Sequence, residues 1–253
     1  MAPGARDNDR LKDFDFASHN AEVRQLWPAF REGKAWRVPV IFGANSRFFL
    51  FDPTANPGGV RYRDTFADPE LMFRTVLAFQ RHSRFNLLQD QELGLPDVWR
   101  VTPDFQNLTE AAWFGCPVEF MDDQVPDTLP AFSDAPERVM EHGLPDPFGG
   151  FMGTVWGTYE RFRELAEKAT CEGRPIEAAP PGPSHWTDGP MTVACNLFSP
   201  GVVCEMMALE PERLGTLFGF ITEAIIRRMK AMRGRLGLPE RVRDFEMADD
   251  SVA

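Results

Sequence analysis

Residues 37–50, RVPVIFGANSRFFL, begin as an apolar run and then turn abruptly polar. The first part of this stretch, residues 38–42, is rich in β-branched side chains and has the length of a buried strand. The glycine, asparagine and serine that follow at positions 43–46 are typical of a turn. The stretch therefore predicts a strand over 38–42 that delivers Asn45 and Arg47 to its C-terminal end.

The same order of apolar run, polar loop and helix recurs along the chain. Further strands are predicted over 85–90, from Ile176 and over 244–248, with helices from Asp68, from Gly189 and from Pro211. Alternating units of this kind favour a parallel sheet. The order of these units suits a (β/α) barrel, but such a barrel needs eight units and the sequence offers four.

Two segments depart from the alternation. Residues 1–17 are polar and charged, and we predict that they form a flexible arm ahead of a single barrel domain over 18–253. Residues 97–121 place aromatic and β-branched side chains at alternating positions, which predicts a β-hairpin-like excursion from the barrel.

Charge and composition exclude some classes of function. The chain has 27 lysines and arginines against 38 acidic residues, so its net charge is -11 and it lacks the positive surface that nucleic-acid binding needs. No apolar run approaches the ~20 residues of a membrane span, and the N-terminus lacks the core of a signal peptide. The four cysteines suggest no disulfide framework. We therefore expect a cytoplasmic protein without nucleic-acid or membrane partners.

Several segments, taken in order, resemble the uroporphyrinogen decarboxylase family, which includes corrinoid-dependent methyltransferases. They are residues 37–50, NLLQDQELGLP (86–96), DGPMTVACNL (188–197), LEPERLGTLFGFITEAI (209–225) and FEMADDSVA (245–253). In order and spacing they match the family's first four strands and the loops that follow, over most of residues 20–253. The resemblance implies an α/β fold of the TIM (β/α)8-barrel type, of which this sequence supplies only the N-terminal half. In that fold the active site lies at the C-terminal ends of the strands.

The barrel would gather the polar residues that follow each strand around one mouth. These are Asn45 and Arg47, then Asp90 and Glu92, then His185, Asp188 and Asn196, and finally Asp249 and Asp250. The resemblance places Asp90 where the decarboxylases hold the pyrrole N–H groups of the substrate, and Arg47 where an arginine binds its acid side chains. We expect Asp90, Asp249 and Asp250 to be catalytic, and Asn45, Arg47, Glu92, His185 and Asn196 to bind substrate.

The chain departs from the decarboxylases at matched positions. Gly43 replaces an arginine, Asn196 a tyrosine and Asp249 a serine, and the family's C-terminal histidine has no counterpart. Losing arginines and gaining carboxylates is unfavourable for a substrate with many acid groups. The aspartate pair at 249 and 250 is more similar to the methyltransferase branch. There, zinc activates a thiol that takes a methyl group from a corrinoid.

We therefore favour corrinoid-linked methyl transfer to a thiol over decarboxylation of uroporphyrinogen III to coproporphyrinogen. The first activity implies zinc and a corrinoid protein, and the second a tetrapyrrole substrate with no cofactor. The family's zinc ligands belong to the second half of the barrel, so no metal ligand is assigned; Cys195 and Cys204, with His185, are more simply explained without zinc.

Other interpretations stay open. The chain can be a catalytically incomplete fragment, because four strands leave two sheet edges unpaired. It can also be a binding module that keeps a tetrapyrrole pocket without chemistry. The resemblance further implies a possible homodimer.

Overall fold

The structure is a computed structural model that describes residues 9–240. These residues divide into two compact units, the first formed by residues 9–101 with 162–178 and the second by 102–161 with 179–240. The predicted strand at 244–248, together with Asp249 and Asp250, lies outside the described residues.

Helices make up most of the regular structure. In chain order they are α1 (Phe16–Arg31), α2 (Ser46–Leu50), α3 (Tyr62–Ala67), α4 (Pro69–Asn86), α5 (Thr109–Trp113), α6 (Gly150–Lys168), α7 (Gly189–Phe198), α8 (Pro200–Leu209) and α9 (Pro211–Arg235). The predicted helix starts at Asp68, Gly189 and Pro211 are confirmed. Asp68 caps α4, because its Oδ1 accepts the backbone N–H groups of Glu70 and Leu71 at 2.8 and 3.2 Å.

Strands are short and form two small sheets among residues 9–240. They are β1 (Trp99–Val101), β2 (Val118–Glu119), β3 (Asp127–Thr128), β4 (Thr170–Cys171) and β5 (Arg174–Ala178). Strand β5 is central in the first unit, where it pairs parallel with β1 and antiparallel with β4. The predicted strand at Ile176 is confirmed as β5, and Ile176 is buried. The complete barrel stays a prediction.

The strands predicted at 38–42 and 85–90 are wrong, because these two segments do not form a ladder of backbone hydrogen bonds. Helix α4 continues to Asn86, so only residues 87–90 of the second predicted strand remain outside the helix. The Val40 N–H donates to Asp90 Oδ2 at 2.6 Å, and the Phe42 N–H to Gln89 Oε1 at 3.1 Å. One backbone bond, Asp90 N–H to Val40 O at 2.7 Å, completes the contact. Because Pro39 has no N–H and side chains accept the N–H groups of Val40 and Phe42, the segments lie together without forming a sheet.

The β excursion predicted over 97–121 is wrong in its middle. Strand β1 does not pair with β2, which instead pairs antiparallel with β3, Val118 opposite Thr128. Between them the consecutive residues 108–111 are all buried. An alternating strand cannot bury four neighbours on one face, whereas the helical turn of α5 can.

The described part of the predicted flexible arm, residues 9–17, is packed. The Leu11 N–H donates to the carbonyl of Phe85 at 3.1 Å, and Phe16 packs edge-on against the Phe85 ring at 5.6 Å. Asp9 is buried and forms an ion pair with Arg81 at 2.7 Å. These contacts hold the segment against the end of α4, so the arm prediction is corrected for residues 9–17.

Each unit has its own apolar core. In the first unit, Phe73 of α4 meets Phe162 edge-on at 5.2 Å, with Met72 and Phe85 buried nearby on the same helix. In the second, α7 and α8 pack on α9 through buried side chains that include Leu197, Val203, Leu217 and Ile221. Within the described range no single helix has the length and hydropathy to cross a membrane, although α7 and α8, bent by 111°, meet that test as a pair.

Truncating the core of α9 tests this packing. Ile221→Ala removes a fully buried side chain and should lower the free energy of unfolding by about 2–5 kcal/mol, because a cavity is left behind. Ile226→Ala, on the exposed side of the same helix, should change it by no more than about 0.5 kcal/mol. Urea unfolding of both variants measures the difference, and equal losses would contradict the assigned face.

Candidate functional site

Asp90 is the centre of a polar cluster in the first unit. Arg37 donates to both of its carboxylate oxygens, from Nη1 to Oδ2 at 2.6 Å and from Nη2 to Oδ1 at 2.7 Å. Glu22 of α1 accepts a further bond from Arg37 Nη2 at 2.8 Å. The hydrogen bonds from Arg37, and then from the Val40 N–H, hold the pKa of Asp90 below its ordinary value. Asp90 is therefore an anion at neutral pH.

The Asp90 carboxylate connects its own segment of the chain to Arg37 and Val40. Its side chain is only 10% exposed, and three N–H donors already occupy it. Trp27 of α1 adds a bond to the Asp90 carbonyl at 2.6 Å. Proton transfer by Asp90 would require its release from Arg37, so the geometry supports a positioning role, and the predicted catalytic role stays a prediction.

The other predicted residues of the first unit differ in whether their side chains already have hydrogen-bond or ion-pair partners. Asn45 caps α2, since its Oδ1 accepts the Arg47 N–H at 3.0 Å. Glu92 forms an exposed ion pair with Arg24 at 3.0 Å. Arg47 Nε is buried and has no hydrogen-bond partner among the described residues. Of these three side chains, Arg47 is the one with an unused buried donor.

His185 and Asn196 belong to the second unit, so the mouth that they were predicted to share with Asp90 stays a prediction. His185 Nδ1 lies 3.1 Å from Ser184 Oγ. Burial, followed by the charge of Arg233, lowers the pKa of His185 and leaves it neutral at pH 7. Asn196 lies on α7, where its backbone carbonyl accepts a long bond from the Cys116 thiol at 3.7 Å.

A buried ion pair in the second unit was missed by the sequence analysis. Glu110 of α5 and Arg228 of α9 are 1% and 0% exposed, and Arg228 Nη1 donates to Glu110 Oε1. The remaining acceptor capacity of Glu110 is used by Thr187 Oγ1 at 2.9 Å and by the Asp188 N–H at 2.7 Å. Arg228 Nη2 also donates to the Trp186 carbonyl at 3.1 Å.

This pair fixes the loop that carries His185. The loop over residues 182–189 is held to α5 at Thr187 and Asp188, and to α9 at Trp186. A signal for it was present in the sequence, because Arg228 continues the helical spacing of the apolar residues Ile221, Ile225 and Met232. Arg228 stands among other basic residues near the end of α9, yet its side chain is fully buried.

The described residues do not provide a zinc site. Within residues 9–240, no group of three His, Cys, Asp or Glu side chains comes close enough together to hold a metal ion. Burial raises the pKa of the Cys195 thiol, with a further contribution from Cys204. A thiol with a raised pKa stays protonated at neutral pH and is a poor metal ligand. No chemical step is therefore assigned to zinc.

Comparison with known proteins adds little to this geometry. No family model matches the chain, and no curated protein matches it. A solved structure that is similar is a methyltransferase from Methanosarcina mazei, at 20% identity and a TM-score of 0.47. The match covers 85% of this chain and 56% of that one, so the chain spans little more than half of that structure's length. Because identity and score are both low, function has to be argued from the chain's own residues.

Replacing Asp90 tests the connector role. Asp90→Asn keeps the shape but removes the charge that faces Arg37, and should lower the free energy of unfolding at pH 7 by about 1–3 kcal/mol. Glu92→Gln, at an exposed pair, should cost no more than about 1 kcal/mol. Urea unfolding compares the two variants, and an Asp90→Asn variant as stable as the parent would refute the role.

The same contact predicts a pH dependence. The folded pKa of Asp90 lies below its unfolded value of about 3.9, so its contribution is complete above that pH and is lost as the pH falls through the folded pKa. The stability difference between the parent and Asp90→Asn should therefore shrink in acid. A difference that stays constant from neutral pH down to acid denaturation would count against the assignment.

A double-mutant cycle tests the buried pair. Glu110→Gln or Arg228→Met alone leaves a buried group uncompensated and should destabilise the protein by about 3–5 kcal/mol, whereas the double replacement should recover part of that loss. Arg227→Met, at the exposed neighbouring position, is the matched control and should be nearly neutral. Additive losses in the double variant would show that the two side chains do not interact.

Proposed function

We propose that the chain forms the first half of a barrel of the uroporphyrinogen decarboxylase kind and acts in methyl transfer from a corrinoid to a thiol. The ordered resemblance of the segments from 37–50 to 245–253 supports the family. One structural observation favours methyl transfer over decarboxylation, namely that Arg37 and Val40 occupy the Asp90 carboxylate.

Decarboxylation would use this carboxylate differently. At the matched position of the decarboxylases, the carboxylate accepts the pyrrole N–H groups of the substrate. Here a pyrrole donor would have to displace a bidentate guanidinium, whose charge-assisted bonds are stronger than bonds from a neutral N–H. Position 43, where those enzymes carry an arginine, is an exposed glycine. Both features disfavour a tetrapyrrole with many acid groups as the substrate.

An exposed apolar surface supports the half-barrel part of the proposal. We define it as Trp36, Val38, Val40, Ile41, Phe42, Phe48, Phe51 and Leu88, all classed as exposed. Val38 and Phe48 are exposed at 69% and 66%. Apolar groups so concentrated mark surfaces that contact something else. In the proposed fold, further strands or a second subunit would cover them, and this is also what the alternative of an incomplete fragment requires.

Two assays on the full-length protein decide between the activities. With methylcobalamin and a small thiol, the expected results are loss of the methylcobalamin absorbance and formation of the methyl thioether. With uroporphyrinogen III, no coproporphyrinogen is expected. Turnover of uroporphyrinogen without demethylation of methylcobalamin would overturn the proposal in favour of decarboxylation, and inactivity in both assays would contradict both activities.

Replacing Arg47 tests whether this residue belongs to the substrate site. Its buried Nε has no partner among the described residues, so Arg47→Gln should lower kcat/KM by about tenfold or more while leaving the melting temperature nearly unchanged. Arg31→Gln removes an exposed arginine in the last turn of α1 and should leave both quantities unchanged. Parent-like kcat/KM in Arg47→Gln would exclude Arg47 from the substrate site.

A further inference from the structure

A pocket of about 570 Å³ lies in the first unit, away from the polar cluster at Asp90. One face of α4, the loop after α2 and residues 9 and 10 form its walls. Its volume is within the range of about 300–1,000 Å³ that is usual for small-molecule sites. None of the predicted site residues lines this pocket, and the proposed methyl transfer does not use it.

Two of the pocket's arginines are already neutralised. Arg81 is held by Asp9, at 2.9 and 2.7 Å, and by Glu172 at 2.7 Å. Arg74 pairs with Glu70 one helical turn earlier, at 3.0 Å. Three carboxylates face these two guanidinium groups, so one negative charge is in excess here. Each of the three already accepts a hydrogen bond from an arginine.

One cation and one anion remain. Arg10 is exposed and lines the pocket; its backbone N–H donates to Asn86 Oδ1 at 3.0 Å, and its guanidinium forms no ion pair with a carboxylate of residues 9–240. Asp52 accepts bonds from the neutral donors of Thr54, the backbone N–H at 2.8 Å and the hydroxyl at 2.7 Å. These bonds lower the pKa of Asp52 and keep it ionised.

The rest of the lining is apolar or uncharged. Phe49 and Leu77 supply hydrocarbon surface, and the Phe49 ring lies 5.6 Å from the His82 ring. Burial lowers the pKa of His82, so at pH 7 it brings no positive charge to neutralise Asp52. An aromatic ring and a carboxylate in the same wall both favour an organic cation.

We propose that this pocket binds a small zwitterion of the amino-acid type. Its carboxylate pairs with Arg10, its ammonium group pairs with Asp52, and its hydrocarbon part packs against Phe49 and Leu77. A ligand with a single charge would satisfy one of the two groups and leave the other unpaired. The proposal stands independently of the methyl-transfer activity.

Calorimetric titration of the full-length protein tests the charge requirement. The probes are unbranched ω-amino acids from glycine to aminocaproate, which cover a range of separations between the two charges. Caproate and hexylamine are the single-charge controls. At least one amino acid is expected to bind about tenfold more tightly than either control. A control that binds as tightly as the best amino acid, or no saturable binding by any probe, would overturn the proposal.

Matched variants then locate the two charges. Arg10→Gln should weaken binding of the best amino acid and of caproate without affecting hexylamine. Asp52→Asn, which keeps an acceptor for Thr54, should weaken binding of the amino acid and of hexylamine without affecting caproate. Arg24→Gln, an exposed arginine outside the pocket, should change none of them. Unchanged affinity for the amino acid in Arg10→Gln or in Asp52→Asn would contradict the assigned contacts.

Discussion

The Asp90 carboxylate accepts two hydrogen bonds from Arg37 and one from the Val40 N–H, and so connects residues 37–42 with residues 87–92. Neither segment has a backbone ladder to hold it, because Pro39 lacks an N–H and Gln89 takes the Phe42 donor. A charge-assisted, bidentate contact replaces the missing ladder. The positions of Asn45 and Arg47, which follow the first segment, depend on that contact.

The second unit also contains a carboxylate–arginine contact, and its side chains are less exposed to solvent than those of Asp90 and Arg37. Glu110 and Arg228 are buried, and Glu110 also accepts bonds from Thr187 and Asp188, which ties the loop over residues 182–189 to α5 and α9. Removing two charges from water is costly, and the cost is recovered only when the geometry and the surrounding hydrogen bonds are good. Such a contact specifies one loop conformation, and His185 lies within that loop.

Sequence patterns predicted the helices whose ends and buried faces depend on residues close together in the chain. Asp68 and Pro69 fixed the start of α4, and the apolar spacing from Leu214 to Met232 predicted α9. The strand at 38–42 failed because its partners are the side chains of Asp90 and Gln89, which no propensity describes.

The candidate site shows the same division between local and long-range effects. Asp90 was singled out from the sequence, but its engagement with Arg37 depends on a contact across 53 residues. Arg228 stands among other basic residues in the sequence, although its helical spacing from Ile221 and Ile225 pointed to the core, where its side chain is buried. The pocket lined by Arg10 and Asp52 unites segments far apart in the chain, and no sequence motif marks it.

Amide hydrogen exchange at Val40, measured by NMR on the full-length protein and on Asp90→Asn, tests the central claim most directly. Val40 is largely exposed, so burial of its side chain gives its N–H little shelter. The structure predicts slow exchange at Val40 in the parent, because the Asp90 carboxylate holds that N–H, and fast exchange in the variant. Rapid exchange in the parent, or protection that survives in Asp90→Asn, would contradict the claim that this carboxylate joins the two segments.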